Sequence, residues 1–331
     1  MSLKFLSPIQ LNIKNHLAIL PLGDLAEHKI QNWSIEDLKP YVSYILQDKS
    51  IDTMFGGLIF NPISSRPNHY IYPMYATLGE LATIEDWRLA IDDLFKINYN
   101  FHAACLSGRK LDIWVMLPYP LTLQNDFGVV DNVNLNFNNH NDRLVALKWW
   151  INNFLEGWQK ATYLHGNLTF KGFVWQRDGI FDEDSQLVID INNFIRQKNY
   201  LSMWLPNYGS NGITDWKKFG FDITCINSNY YGNTNNDYQW INYASAFGKF
   251  YHTGMQINYG KGLIYNQNHL TDYLNLGLPQ YNNYMNDCVV VYKITDQTLN
   301  EVYKQKLVDY IRIYSFIKGI YSKVAYPLIP Y

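Results

Sequence analysis

The chain has 331 residues, 47% of them hydrophobic, and its 27 basic and 29 acidic side chains leave a net charge of −2. That hydrophobic share fills a large core, while so even a charge balance offers no basic footprint for nucleic acid or an anionic membrane surface. No apolar run approaches the roughly 20 residues that cross a bilayer, and "MSLKFLSPIQLNIKNHLAILPLGD" at the start lacks the basic, apolar and small-residue order of an export signal. The expectation is a soluble chain, cytoplasmic or virion-associated, with no membrane insertion and no nucleic-acid partner. Three cysteines, Cys105, Cys225 and Cys288, are an odd number in apolar surroundings, so they read as buried free thiols and not as a disulfide framework.

In chain order, short apolar runs predict strands at 17–23, 54–60, 110–120, 167–175, 200–208, 221–231, 251–259 and 288–294. Most are continuous and not alternating, as parallel strands covered on both faces should be. Helical patterns lie between them. Ser34 and Thr83 open two, each with acids in the first turn. Leu144, Leu147, Ile151, Phe154, Leu155 and Trp158 share the apolar face of a third after Asp142, and "NDYQWINYASAFGKF" has the same character. Thr298 and Glu301 form a capping box ahead of a last helix running to Ile317. Asp182, Glu183 and Asp184 read as first-turn acids favourable to a helix dipole, and Asp215 reads as a helix start. Strand–helix repetition without a linker predicts one (β/α)8 TIM barrel spanning 1–331, with extended loops after the strands. A doubly wound sheet would need an early phosphate-binding glycine loop, which the sequence lacks.

Barrel chemistry sits at the strand C-termini. Those ends carry Asp24, Asn61 and Arg66, Tyr119, the run Trp175, Gln176, Arg177 and Asp178, then Asn207 and Tyr208, Asn227 to Tyr231, Gln256, Asn258 and Tyr259, and Asp296. Rings and amides with few charges suit a polyhydroxylated ligand, whose C–H faces stack on aromatics while amides and carboxylates bond its hydroxyls. Trp175, Trp204, Tyr119, Tyr208 and Tyr230 are the expected sugar-stacking rings; strand alternation predicts that about half of such a list is packing. Gln176, Arg177, Asn207, Asn229, Gln256 and Asn258 are the expected polar contacts. The eight histidines show no metal-ligand spacing, and no C-x-x-C or G-x-S-x-G occurs, so neither a metal nor a cofactor is expected.

"DWRLAIDDLF", "RLVALKWWINNFLEGW", "LTFKGFVWQRDGI", "WLPNYGSNGITDWKKFGFD", "NSNYYG" and "GMQINYG" together resemble the bacterial family grouped as domain of unknown function 4855, regarded as glycoside-hydrolase-like TIM barrels. The resemblance implies a carbohydrate-active fold, and it exposes departures. The family pattern places Glu three residues after the Trp of the fourth strand, where this chain has Asp178, and acids on the seventh strand, where it has Gln256 and Asn258. An amide can neither accept a proton nor attack a sugar carbon, and glycoside hydrolysis normally uses two carboxyl groups. The expectation is Asp178 as general acid with Trp175 as a low-dielectric wall, and Asp24, with Asp296 in reserve, as the second carboxylate. The competing reading of Asp178 is a turn with Gly179 or a pair with Arg177. Two functions follow: a glycoside-hydrolase-like protein acting on a microbial surface polysaccharide, or an inactive member of the fold that recognises a glycan or receptor. The latter includes a place on a phage tail beside other virion or cell-surface proteins. A scaffold without ligand is the third reading.

Overall fold

The computed structural model describes residues 3–23, 32–46, 48–232, 237–260, 269–295 and 297–324. Eight strands close into a parallel barrel: β1 (Leu17–Leu22), β2 (Gly57–Pro62), β3 (Leu111–Leu117), β4 (Leu168–Trp175), β5 (Leu201–Trp204), β6 (Ile223–Asn227), β7 (Gly254–Tyr259) and β8 (Val290–Ile294). Each neighbours its successor, and β8 returns to β1 through Leu17 opposite Val291. All eight are the apolar runs the sequence predicts. β2, β3, β6 and β7 are buried along their whole length, which is why their sequences do not alternate.

Burial on two sides still separates into two cores. Leu17, Ile59, Trp114, Met116, Val174, Met203, Ile223, Cys225 and Val291 cluster inside the barrel. The residues between them, among them Leu58, Val115, Phe173, Trp204, Ile226, Ile257 and Tyr292, belong to the larger core between sheet and helices. A strand reverses its side chains at each residue, so this division fixes which positions point into the barrel mouth. Close strand approach also selects Gly172: a Cβ there would stand 1.8 Å from the Leu201 carbonyl oxygen, beside the register shift between Phe170 and Gly172.

The helices are α1 (Ile35–Val42), α2 (Ile84–Leu94), α3 (Asn100–Leu106), α4 (His140–Lys160), α5 (Asp182–Gln197), α6 (Gln239–Tyr251), α7 (Leu270–Leu276), α8 (Leu299–Gln305) and α9 (Leu307–Ile317). Ser34, Thr83 and Thr298 form the expected capping boxes with Asp37, Asp86 and Glu301. Two helix expectations change. The pattern after Thr298 is broken at Lys306, whose backbone leaves helical geometry (φ −136°, ψ 52°); α9 can then turn so that the Tyr310 hydroxyl donates to the carbonyls of Pro40 and Ser43. Asp215 closes a single 3-10 turn, Ile213–Asp215, and starts no α-helix, so β5 and β6 are joined without one. Small two- and three-stranded sheets at 43–53, 64–81 and 128–135 extend the loops.

Phe154 of α4 lies within aromatic contact of Phe95 at the end of α2, Phe101 of α3, and Phe170 and Phe173 of β4, which joins three helices at β4. Cys225 and Cys288 are buried free thiols and Cys105 is half-buried. Among the described residues no helix is long and apolar enough to cross a membrane.

Candidate functional site at the barrel mouth

Extending the inward register past the interior core places the mouth. Ile59 leads to Asn61, Val174 to Gln176, Leu205 to Asn207, Cys225 to Asn227 and Val291 to Lys293. On β7, Met255 and Ile257 belong to the outer core, so Gln256 and Asn258 point inward; Asn258 is in register with Lys293, and Gln256 with Asn227. Six of these inward positions are therefore amides, a pattern that no strand propensity calls for.

The amides are bonded in series. The Asn258 side-chain NH2 donates to Asn227 Oδ1 (2.5 Å), Asn227 Nδ2 to Asn207 Oδ1 (2.9 Å), and Asn207 Nδ2 to Asp178 Oδ2 (3.1 Å). Each amide thus orients the next, and the chain ends on a carboxylate. Behind it, Tyr273 shares its hydroxyl with Asn258 and Ser228 and donates to the Tyr230 carbonyl. Across the mouth, Gln176 Nε2 bridges to Asn61 Oδ1 (2.8 Å) and the Pro62 carbonyl (2.9 Å). Gln176 Oε1 and Asn258 Oδ1 are buried acceptors with no hydrogen-bond partner among the described residues.

Asp178 is half-buried, and burial raises its pKa above the ordinary carboxylate value; the Lys293 ammonium and the Asn207 hydrogen bond oppose the shift without cancelling it. Its charge is felt by Tyr72, whose phenol burial and then Asp178 push up. Tyr72, in the bend that follows His69–Tyr70 of the loop sheet after β2, and Lys293, from β8, therefore join the site. Sequence reasoning missed both. Lys293 was legible as the inward residue two beyond Val291, whereas Tyr72 carried no periodic signal.

The stretch "WQRD" divides by side. Gln176 and Asp178 face the mouth, while Trp175 and Arg177 face the helix layer. Trp175 is 3% exposed and meets Tyr119 edge to face at 5.8 Å. Arg177 pairs with Asp184 (2.7 Å) and lies over the Tyr119 ring, so it is not the partner of Asp178. Asp184, fully buried, also holds Arg143 (2.5 Å) and accepts from the Tyr119 hydroxyl (3.0 Å). A buried carboxylate flanked by two guanidinium groups and a phenol is satisfied on both oxygens. Burial, then Asp184, pushes the Tyr119 phenol up.

The structure brings together Asp178, Asn207, Gln176, Gln256 and Asn258. Gln256 sits one layer deeper, its Nε2 on the Cys225 carbonyl (2.6 Å). Tyr208 is half-buried beside Asn207, its ring edge-on to Trp240 and Phe247. Asn229 is exposed in a left-handed turn (φ 54°), its N–H donating to Asn227 Oδ1. Tyr230 turns inward to the protein and donates to Asp272 (2.7 Å). Four expected stacking rings are thereby corrected to packing: Trp204 is wholly buried, stacked on Phe221 with Nε1 donating to the Arg177 carbonyl, and Trp175, Tyr119 and Tyr230 are buried beside partners of their own. Register parity is the reason for Trp175 and Trp204, which occupy paired outward positions on β4 and β5. Arg66 is engaged by Asp86 (2.6 Å). Asp24 and Asp296 lie outside the described residues, and no cluster of metal-ligating side chains forms among those described.

An eight-stranded parallel barrel with helices between its strands is a TIM barrel, and here the half-buried Asp178 carboxylate and a row of amides gather at the strand C-termini. Residues 20–317 match the family described as Domain of unknown function (DUF4855), and the chain belongs to that family. No curated protein matches it.

Proposed function

We propose that this barrel binds a polysaccharide at its mouth and that Asp178 acts there as a general acid on a glycosidic oxygen. The observation that carries the reading is Asp178 itself: a carboxyl group whose burial favours the protonated form, at the end of a chain of amides suited to sugar hydroxyls. Lys293 and Tyr72 flank it, and Tyr208 and Asn229 supply more exposed contacts at the rim.

A second reading, recognition without cleavage, is favoured by the composition of the ring. At the inward positions of the strand C-termini, among the described residues, Asp178 is the one carboxylate, whereas hydrolysis normally uses two, about 5–5.5 Å apart for retention or roughly 6.5–9.5 Å for inversion. Asp24 and Asp296, each just beyond the C-terminal end of its strand, are the candidates for the second.

Purified microbial surface glycans incubated with the protein separate the readings. Hydrolysis predicts new reducing ends, reduced by about a hundredfold or more in Asp178→Asn with binding retained. Binding by the wild type without release moves the protein to recognition, and no binding to any glycan overturns both.

A further inference from the structure

A cleft of about 570 Å³ opens between the start of α5 and the loop that replaces a helix after β5, the two segments that follow Asp178 and Asn207 in the chain. Small-ligand sites occupy about 300–1,000 Å³. Phe219 forms its floor, with Phe181, Ser185 and Asn211 around it and the Lys218–Asp215 pair (2.6 Å) on the rim. The Phe181 ring is 42% exposed although it is large and apolar. Its position is fixed by the Arg177 guanidinium 4.6 Å from its centroid. The two walls are tied by the Ile180 N–H to the Asn211 carbonyl (3.0 Å).

Only Gly179 separates the cleft from Asp178 along the chain. A Cβ on Gly179 would stand 3.3 Å from the Phe181 ring and 3.9 Å from the Asn211 nitrogen. Gly179 thus adds no side chain on the side that faces Phe181 and Asn211.

We infer that this cleft is a second subsite, taking the neighbouring uncharged sugar units of the same glycan chain that occupies the mouth. This rests on the proposed carbohydrate reading and extends it, since it makes the ligand a polymer. An exposed ring with a hydroxyl and an amide in the same lining is the set that binds an uncharged sugar unit, ring on its C–H face and polar groups on its hydroxyls. Lys218 is neutralised by Asp215, so the rim has no unpaired cation to select an acidic sugar.

The test is calorimetric titration of the full chain with graded ladders of chito-, cello- and α-gluco-oligosaccharides and of fragments of bacterial capsule. Wild-type affinity should rise with chain length. Phe181→Ala should weaken the longest bound oligomer by about tenfold, the loss of one ring contact, and leave the shortest unchanged. Asn211→Trp, which fills the cleft without removing packing, should do the same, whereas Asn207→Ala should weaken long and short alike. Equal losses at every length, or none, with Asn207→Ala still disruptive, overturn the subsite and leave the mouth standing. If no oligomer binds wild-type protein, the mouth reading falls and the subsite with it.

Discussion

The pKa of Asp178 is shifted by its surroundings and not by any feature of its own sequence neighbours. Burial raises its pKa, and Lys293 works against that rise. The sign gives a prediction: a general acid is lost as pH climbs through its raised pKa, so cleavage should show an alkaline limb assignable to Asp178. Lys293→Met removes the opposing cation, so the limb should move to higher pH in a pH–rate profile; a shift to lower pH would refute the assignment. Asp184 is the contrasting acid. It is buried between Arg143 and Arg177, and Asp184→Asn leaves two guanidinium groups short of their anion. A loss of about 3–5 kcal/mol is expected by urea denaturation. In the sequence both were acids after an apolar run. The first-turn reading of Asp184 was right about its structural role, but the buried pairing could not be read because Arg143 is 41 positions away.

Among elements, β4 and α4 are joined by phenylalanines. Phe154 touches rings from α2 and β4 as well as its neighbour on α3, so Phe154→Ala leaves a cavity that no flexible side chain fills. The expected cost is about 3–5 kcal/mol in a thermal or denaturant melt. Capping belongs to the same scale. Thr298 accepts from the Glu301 N–H at an exposed helix start, and Thr298→Ala should cost only about 1 kcal/mol. Strands and caps were legible because an apolar run and a capping box are local signals. The break at Lys306 was not, since it serves the contact of Tyr310 with Pro40 and Ser43, residues 270 and 267 positions distant. Register parity explains the rings: a tryptophan at a strand end reads identically from sequence whichever side it faces, and one residue of phase separates a sugar platform from core packing.

For the molecule as a whole, pH also acts away from the mouth. Burial raises the pKa of Asp93 from 3.8 to about 6, with Lys96 opposing and Asp92 adding to the shift. The folded state therefore holds this proton more tightly than the unfolded chain. Its contribution to stability is complete below about 4 and is lost as pH rises through about 6. Asp93→Asn should accordingly gain in melting temperature over the wild type between pH 4 and pH 7, a difference that differential scanning calorimetry reads directly. Closure of the barrel turns eight such local strands into one site. The alternation of strand and helix along the chain already dictated a (β/α)8 barrel, because buried parallel strands must be continuous and apolar and must be separated by helices that cover them. It also dictated the end at which polar side chains would gather. Tertiary structure alone decided which of those side chains share the interior. Closure brings Asp178, Asn207, Asn227 and Asn258 from four strand ends into one hydrogen-bonded chain, while the phase of each strand sends Trp175 and Trp204 to the helices. Periodicity records where a chain is buried; which side chains face one another is a property of closure, and no local pattern carries it.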